Sequence, residues 1–192
     1  MILRLSKKLI RRYFQRTRIF IYSSLSNNAE NIVGNPIVHQ PVLFLGKGTY
    51  HFKSKVNLGY FPSPFFYNGN IHLEARLKNS KIEFGSNVFV NNNFVAVCLN
   101  SIKIGDNVLI GTNVEIFDSD FHNTEPIERF GGKAEVKEVI IHNNVWIGSN
   151  VKILKGVTIG ENSVISNGSI VTKSIPRNVI AAGVPAKVIK EL

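Results

Sequence analysis

Along the second half of the chain the aliphatic positions recur every six residues. Ile141, Ile147, Ile153, Ile159, Ile165 and Val171 keep that spacing without a slip, and Phe84 with Val90 and Ile104 with Ile110 repeat it earlier. Three residues after each of these except Val171 comes Asn or Gly: Asn87, Asn93, Asn107, Asn113, Asn144, Asn150, Gly156, Asn162 and Gly168. A position that must adopt positive φ excludes β-branched and bulky residues, whereas Gly has no Cβ to clash and Asn tolerates the left-handed region. Each hexad therefore reads as a short strand followed by a turn. Three hexads make one triangular coil, and successive coils stack as parallel strands about 4.8 Å apart with the aliphatic side chains inside. The pattern predicts an all-β fold, a parallel β-helix, and the period leaves its handedness open.

The same pattern divides the chain. Residues 31–178 read as the β-helix, with imperfect hexads upstream (Leu45 before Gly46, Leu58 before Gly59) interrupted by the aromatic stretch Tyr60 to Tyr67. Pro176 suits the exit from a strand ladder, so residues 179–192 are expected to fold back as a C-terminal tail over the last coils. Two breaks interrupt the period. Ile116 and Ile141 are 25 residues apart, read as one 18-residue coil plus seven extra, and the polar segment between them predicts a protruding loop at about 117–138. The step from Val90 to Ile104 is 14 residues where two hexads need 12.

Residues 1–30 break the pattern altogether. Met1 to Ile21 carries seven cations (Arg4, Lys7, Lys8, Arg11, Arg12, Arg16, Arg18) and no acid, and Ile2, Leu5, Leu9 and Tyr13 fall on one helical face. That is a basic amphipathic helix, too interrupted by charge for a signal peptide or a membrane span. The preferred reading caps the open end of the solenoid with the apolar face; the alternative lays the helix on an anionic membrane.

Composition narrows the partners. Lys and Arg outnumber Asp and Glu by 23 to 13 over 192 residues, a net charge of +10, which implies an anionic partner: a phosphorylated cofactor, an anionic lipid surface or nucleic acid. The cations gather at the two termini and do not interleave with aromatics along the repeats, which argues against nucleic acid. With Cys98 alone no intrachain disulfide can form, so the default is a cytoplasmic protein, with the basic helix leaving room for the inner face of the membrane.

In a monotonous solenoid the breaks are where chemistry gathers. Asp118-Ser119-Asp120-Phe121-His122 stands at the base of the long loop. Imidazole is the side chain suited to proton transfer near neutrality, and either Asp118 or Asp120 could orient it. Arg129 reads as a loop anchor, a substrate contact or a plain surface cation. Three histidine ligands for a zinc site of the γ carbonic anhydrase type are hard to assemble from His122 and His142, so no metal is expected.

Asn144-Val145-Trp146-Ile147-Gly148-Ser149-Asn150, Gly156-Val157-Thr158-Ile159-Gly160, Val171-Thr172-Lys173 and Ala182-Gly183-Val184-Pro185-Ala186 resemble the hexapeptide-repeat acyltransferases. Over about Phe84 to Leu192 the chain is most similar to galactoside and maltose O-acetyltransferases and to O-antigen or capsule O-acetyltransferases. The resemblance implies a left-handed coil, acetyl-CoA as acyl donor, a homotrimer with active sites between subunits, and direct acetyl transfer to a sugar or polysaccharide precursor. It places His122 at the general base and the Ser149 amide at the thioester oxyanion. It places Trp146, Gly148, Ser149, Ser166, Asn167, Gly168, Thr172, Lys173, Lys187 and Lys190 along the cofactor groove.

Acceptor contacts would come from Asn91, Asn92, Asp120 and Arg129. The chain has no carboxylate between Glu83 and Asp106, where the galactoside enzymes hold their sugar with acidic groups, so a different acceptor is expected. N-acetylation of an amino sugar or a nucleotide-linked amino sugar, or a non-enzymatic scaffold, are the competing readings.

Overall fold

A computed structural model of the protein describes residues 2–192. Met1 and the side chains of residues 2–6 and 29, including Ile2, Arg4 and Leu5 of the basic helix, lie outside the described residues. Parallel strands build the three faces of a triangular prism. The first face runs from Ile32–Val33 through Lys81–Phe84, Ser101–Ile104 and Val139–Ile141 to Thr158–Ile159. The second runs from Ile37–Val38 through Phe89–Val90, Leu109–Ile110 and Trp146–Ile147 to a closing pair, Val179–Gly183 and Ala186–Glu191. The third runs from Val42–Gly46 through Val95–Cys98 and Glu115–Phe117 to Ile170–Val171.

The hexad residues fill the prism. Phe84, Val90, Ile104, Ile110, Ile141, Ile147, Ile153, Ile159, Ile165 and Val171 are all at most 3% exposed, each contributing about 1.5–3 kcal/mol of burial. All nine predicted turn positions have positive φ, from 56° at Asn113 to 73° at Gly156. The asparagines also bond to one another from coil to coil: Asn93 Nδ2 donates to Asn113 Oδ1 at 2.8 Å, and Asn113 Nδ2 to Asn150 Oδ1 at 2.9 Å. One residue type thus supplies both the strained corner and a polar ladder along the prism edge.

The long insertion differs from its expected size. Ile104 pairs in register with Ile141, so the chain passes directly from Ile116 on the third face to Ile141 on the first. The 25-residue step is therefore one hexad plus 19 inserted residues, with no extra coil inside it. The two residues added before Ile104 lie at the same edge, in the Leu99–Asn100 turn. The C-terminal segment first adds one more parallel rung, Ile180 beside Val164, and then reverses in an antiparallel hairpin.

Helix α1 (Ile2–Leu25) packs on the end strand Val42–Gly46, but not through the expected Leu9 and Tyr13 face. The face it turns to the solenoid is mixed, with Gln15 buried and Arg18, Ile19 and Tyr22 half-buried. Gln15, 7% exposed, donates through Nε2 to the His39 carbonyl at 2.8 Å, and Arg18 donates to the carbonyls of Phe66 at 3.0 Å and Gly69 at 2.6 Å. The aromatic loop leaves these carbonyls without strand partners, so they demand donors that apolar side chains cannot provide. The residues after the helix complete the closure of the end: Ser26 Oγ accepts from the Phe44 amide, Asn27 Oδ1 from that of Gly46, and the Asn28 amide donates to the Phe44 carbonyl. The apolar side of α1 faces solvent, with Leu9, Ile10, Tyr13 and Phe20 between 64% and 76% exposed.

Candidate active site

The base of the long loop is tightly built. Ser119 Oγ donates to the Glu135 carbonyl at 3.1 Å and accepts from the Phe121 amide at 3.0 Å, pinning the two ends of the insertion together. Lys155, one coil further on, pairs with Asp120 at 2.8 Å and Glu135 at 3.1 Å, and these carboxylates hold its ammonium above the usual lysine range. Phe121 takes φ of 60°, uncommon for a bulky side chain. Its ring packs edge-on to Phe117 and under the guanidinium of Arg76, 4.4 Å from the ring centroid. This fixed residue presents His122 on the outside of the prism, where the imidazole is exposed.

Neither proposed orienting carboxylate serves that imidazole. Asp118 is fully buried and accepts three backbone amides, those of Leu99 at 2.8 Å, Asn100 at 2.7 Å and Ser101 at 2.9 Å. It caps the two-residue bulge on the neighbouring coil; burial pushes its carboxyl up against the opposing pull of those amides. Asp120, expected at the acceptor, is engaged by Lys155. Among the described residues His122 has no side-chain hydrogen bond to either. Arg129 lies far out on the loop, its guanidinium 3.4 Å from the Thr124 carbonyl.

Ser149 occupies a different edge, where the second face turns into the third. Its amide, expected free for an oxyanion, donates to Asn167 Oδ1 at 2.7 Å, and its Oγ accepts from Thr112 Oγ1 at 3.0 Å. Gly148 is required there: a Cβ would lie 2.3 Å from Asn167 Oδ1. Ser166 and Gly168 complete this edge. Trp146 stands on the adjoining second face with 55% of its surface exposed. It heads an outward column in register, Trp146, Val164, Ile180, Lys190, with Lys187 on the same hairpin. Three strand spacings, about 14 Å, separate its ends.

Thr172 and Lys173 are placed elsewhere again, two rungs beyond the loop on the His122 edge. The predicted cofactor residues are therefore split over two edges of one chain, and His122 does not meet Ser149 or Trp146 within it. Asn92 leaves the acceptor set. It is fully buried, accepts from the Tyr60 amide at 3.0 Å and donates to the Tyr60 and Pro64 carbonyls at 2.9 Å each, so it anchors the aromatic loop.

Asn91 does line a groove, of about 460 Å³, walled by Tyr60, Phe61, Phe66, Phe89, Leu109 and Trp146. The aromatic stretch signalled it in the sequence, but its assembly needed the fold. Among the described residues no cluster of three His, Cys, Asp or Glu side chains could hold a metal. Cys98 is buried, which pushes its thiol up to about 12, and is unsuited to nucleophilic work.

The family model described as bacterial transferase hexapeptide (six repeats) matches residues 138–173, and that of the hexapeptide repeat of succinyl-transferase matches 101–117. The galactoside O-acetyltransferase of Escherichia coli (strain K12) is 46% identical over 131 residues, 68% of this chain and 59% of that enzyme. The chain spans about three-fifths of the length of the curated relatives it matches. Among solved structures, a hexapeptide-repeat acetyltransferase from Vibrio cholerae superposes with a TM-score of 0.61 at 32% identity, over 74% of this chain and 72% of that one. The same protein complexed with acetyl coenzyme A superposes with a TM-score of 0.55 at 27% identity, over 82% and 70%. The polySia-specific acetyltransferase NeuO gives 0.58 at 31% identity, over 84% and 68%.

Proposed function

The chain belongs to the hexapeptide-repeat acyltransferase family, and from that premise we propose that it is an acetyl-CoA-dependent O-acetyltransferase acting on a sugar or cell-surface polysaccharide precursor. One observation carries the reading. His122 lies at one edge of the prism and Ser149 with Trp146 at and beside another; in the proposed assembly the His122 edge of one subunit faces the Ser149 and Trp146 edge of the next. This reading takes the assembly as a homotrimer with three such clefts and the coil as left-handed.

In that cleft His122 accepts the proton of an acceptor hydroxyl. The hydroxyl oxygen attacks the thioester carbonyl, and the C–S bond breaks as the imidazolium returns the proton to the departing sulfur. An amide at the developing oxyanion lowers the barrier. For the Ser149 amide to play that part the Asn167 side chain must swing aside. The acyl donor's long arm fits the outward column from Trp146 to Lys190, whose ammonium, with that of Lys187, meets phosphate as a point charge.

The proposed acceptor side is aromatic. Tyr60, Phe66, Phe89 and Trp146 offer flat apolar surfaces to sugar rings, with Asn91 as polar contact. The relatives include a galactoside O-acetyltransferase and a polySia-specific acetyltransferase, which supports a saccharide acceptor. The test is thiol release from labelled acetyl-CoA with a panel of neutral, amino and anionic glycans. Label on a hydroxyl is expected; label on an amine would favour N-transfer, and acetyl-CoA binding without transfer to any acceptor would contradict the assignment.

A further inference from the structure

The exposed side of α1 has no work to do in the cleft, and its chemistry is specific. At about 3.6 residues per turn, Tyr13 lies opposite the buried Gln15, flanked by Leu9, Ile10, Phe20 and Ile21, all exposed. These residues form an apolar stripe along the outside of a 24-residue helix that contains no acid. Lys7, Arg12 and Arg16 border the stripe, and Lys8 and Arg11 sit behind it. Among the described residues none of these five cations has a carboxylate within 4.0 Å, although the chain forms eight ion pairs elsewhere. An unpaired cationic rim around an apolar stripe is the arrangement of a helix lying in the plane of a bilayer, rings and aliphatics among the upper acyl chains and cations at the phosphates.

We propose that α1 docks the protein on an anionic lipid bilayer through Leu9, Ile10, Tyr13 and Phe20. Two features favour lipid over a protein occupant. The rim is of one sign, so a second copy of the same helix would bring cation against cation, whereas each cation is attracted to a phosphate surface. The cations also continue inward: Lys7, Lys8, Arg11, Arg12 and Arg16 line a cavity of about 820 Å³ floored by Phe61, Phe66 and Tyr67, wide enough for a phosphate headgroup. His39, Phe61 and Phe66 line both this cavity and the aromatic groove. A bilayer under α1 therefore lies beside the acceptor groove, and a membrane-borne acceptor needs no long reach to enter it. The docking itself is independent of the acetyl-transfer reading.

The experiment is co-flotation of the full chain with vesicles of phosphatidylcholine alone and with about one third phosphatidylglycerol, at low and high salt. Binding to the anionic vesicles only, weakened by salt and cut at least tenfold in Tyr13→Ser/Phe20→Ser and in Arg12→Glu/Arg16→Glu, is the expected result. Because all four residues are exposed, the variants should keep the wild-type sedimentation coefficient and thermal midpoint. No binding, equal binding to neutral vesicles, or variants that float like wild type would overturn the proposal. A Tyr13→Ser/Phe20→Ser protein that dissociates into smaller oligomers would assign the stripe to contact between copies and also overturn it.

Discussion

The guanidinium of Arg76 sits over the ring of Phe121, 4.4 Å from its centroid, and so holds the residue that immediately precedes the exposed imidazole of His122. Arg76 is itself held: its Nε donates to Glu74 at 2.8 Å, and Glu74 also accepts from His72 at 3.2 Å. A chain of four side chains thus runs from the third face to the loop base, and none of the four touches the proposed substrates. Arg76→Ala should lower kcat by roughly three- to thirty-fold, the equivalent of about 0.5–2 kcal/mol of cation–π contact, while KM for acetyl-CoA stays within twofold. Arg76→Lys should restore part of the loss, because an ammonium can still lie over the ring. Steady-state kinetics of the three proteins distinguish positioning from a general loss of fold, which would move the thermal midpoint instead.

Asn167 makes a prediction of opposite sign. Its Oδ1 holds the Ser149 amide at 2.7 Å, and freeing that amide costs about one net hydrogen bond, roughly 1 kcal/mol. Asn167→Ala removes the competitor. It should raise kcat by up to about fivefold while lowering the thermal midpoint slightly; an unchanged or reduced kcat would remove the Ser149 amide from the reaction.

The repeat, its core and its corners were legible because one period constrains them all: an inward aliphatic every six residues and a positive φ three residues later leave few alternatives. Sequence spacing alone misjudged the insertion, since 25 residues divide as readily into a coil plus seven as into a hexad plus 19, and only the pairing of Ile104 with Ile141 decides. Asp118 and Asn92 were misread for a related reason. Both are short polar residues beside chemically suggestive neighbours, yet each is buried under a loop whose backbone amides or carbonyls need it. Nothing local marks a hydrogen bond to a residue 17 to 32 positions away. The orientation of α1 was missed because amphipathic periodicity says which residues share a face and not which face meets the body. That depended on unpaired carbonyls at Phe66 and Gly69, created by a loop with no regular pattern.

The pH dependence of stability should carry the mark of Glu74. Burial alone would raise its carboxyl, but hydrogen bonds from Arg76 and His72 outweigh burial and hold it below its ordinary value of 4.5. The folded chain therefore binds this proton more weakly than the unfolded chain. The stabilisation is complete above the ordinary value and disappears as pH falls through the lower folded one. Denaturant midpoints measured from about pH 6 to about pH 3 should fall less steeply in Glu74→Gln than in wild type. Parallel curves would deny Glu74 its place in the chain that supports Phe121.

Division of the proposed site over two edges predicts the behaviour of mixed oligomers. His122→Ala disables one edge and Trp146→Ala/Lys190→Ala the other, so each parent should be nearly inactive. Random mixing of the two in a trimer with one site per interface restores a complete cleft at about one interface in four. Co-expressed and purified mixtures should recover roughly a quarter of wild-type activity. Recovery no greater than the sum of the parents would place the whole site within one chain.

The imidazole of His122 is central to the proposed transfer, and the direct measurement is acetyl transfer by His122→Ala alongside its affinity for acetyl-CoA. Loss of a general base predicts kcat/KM lower by about 10²–10⁴-fold with the acetyl-CoA Kd and the thermal midpoint unchanged. A variant that transfers acetyl groups within about threefold of wild type would contradict it.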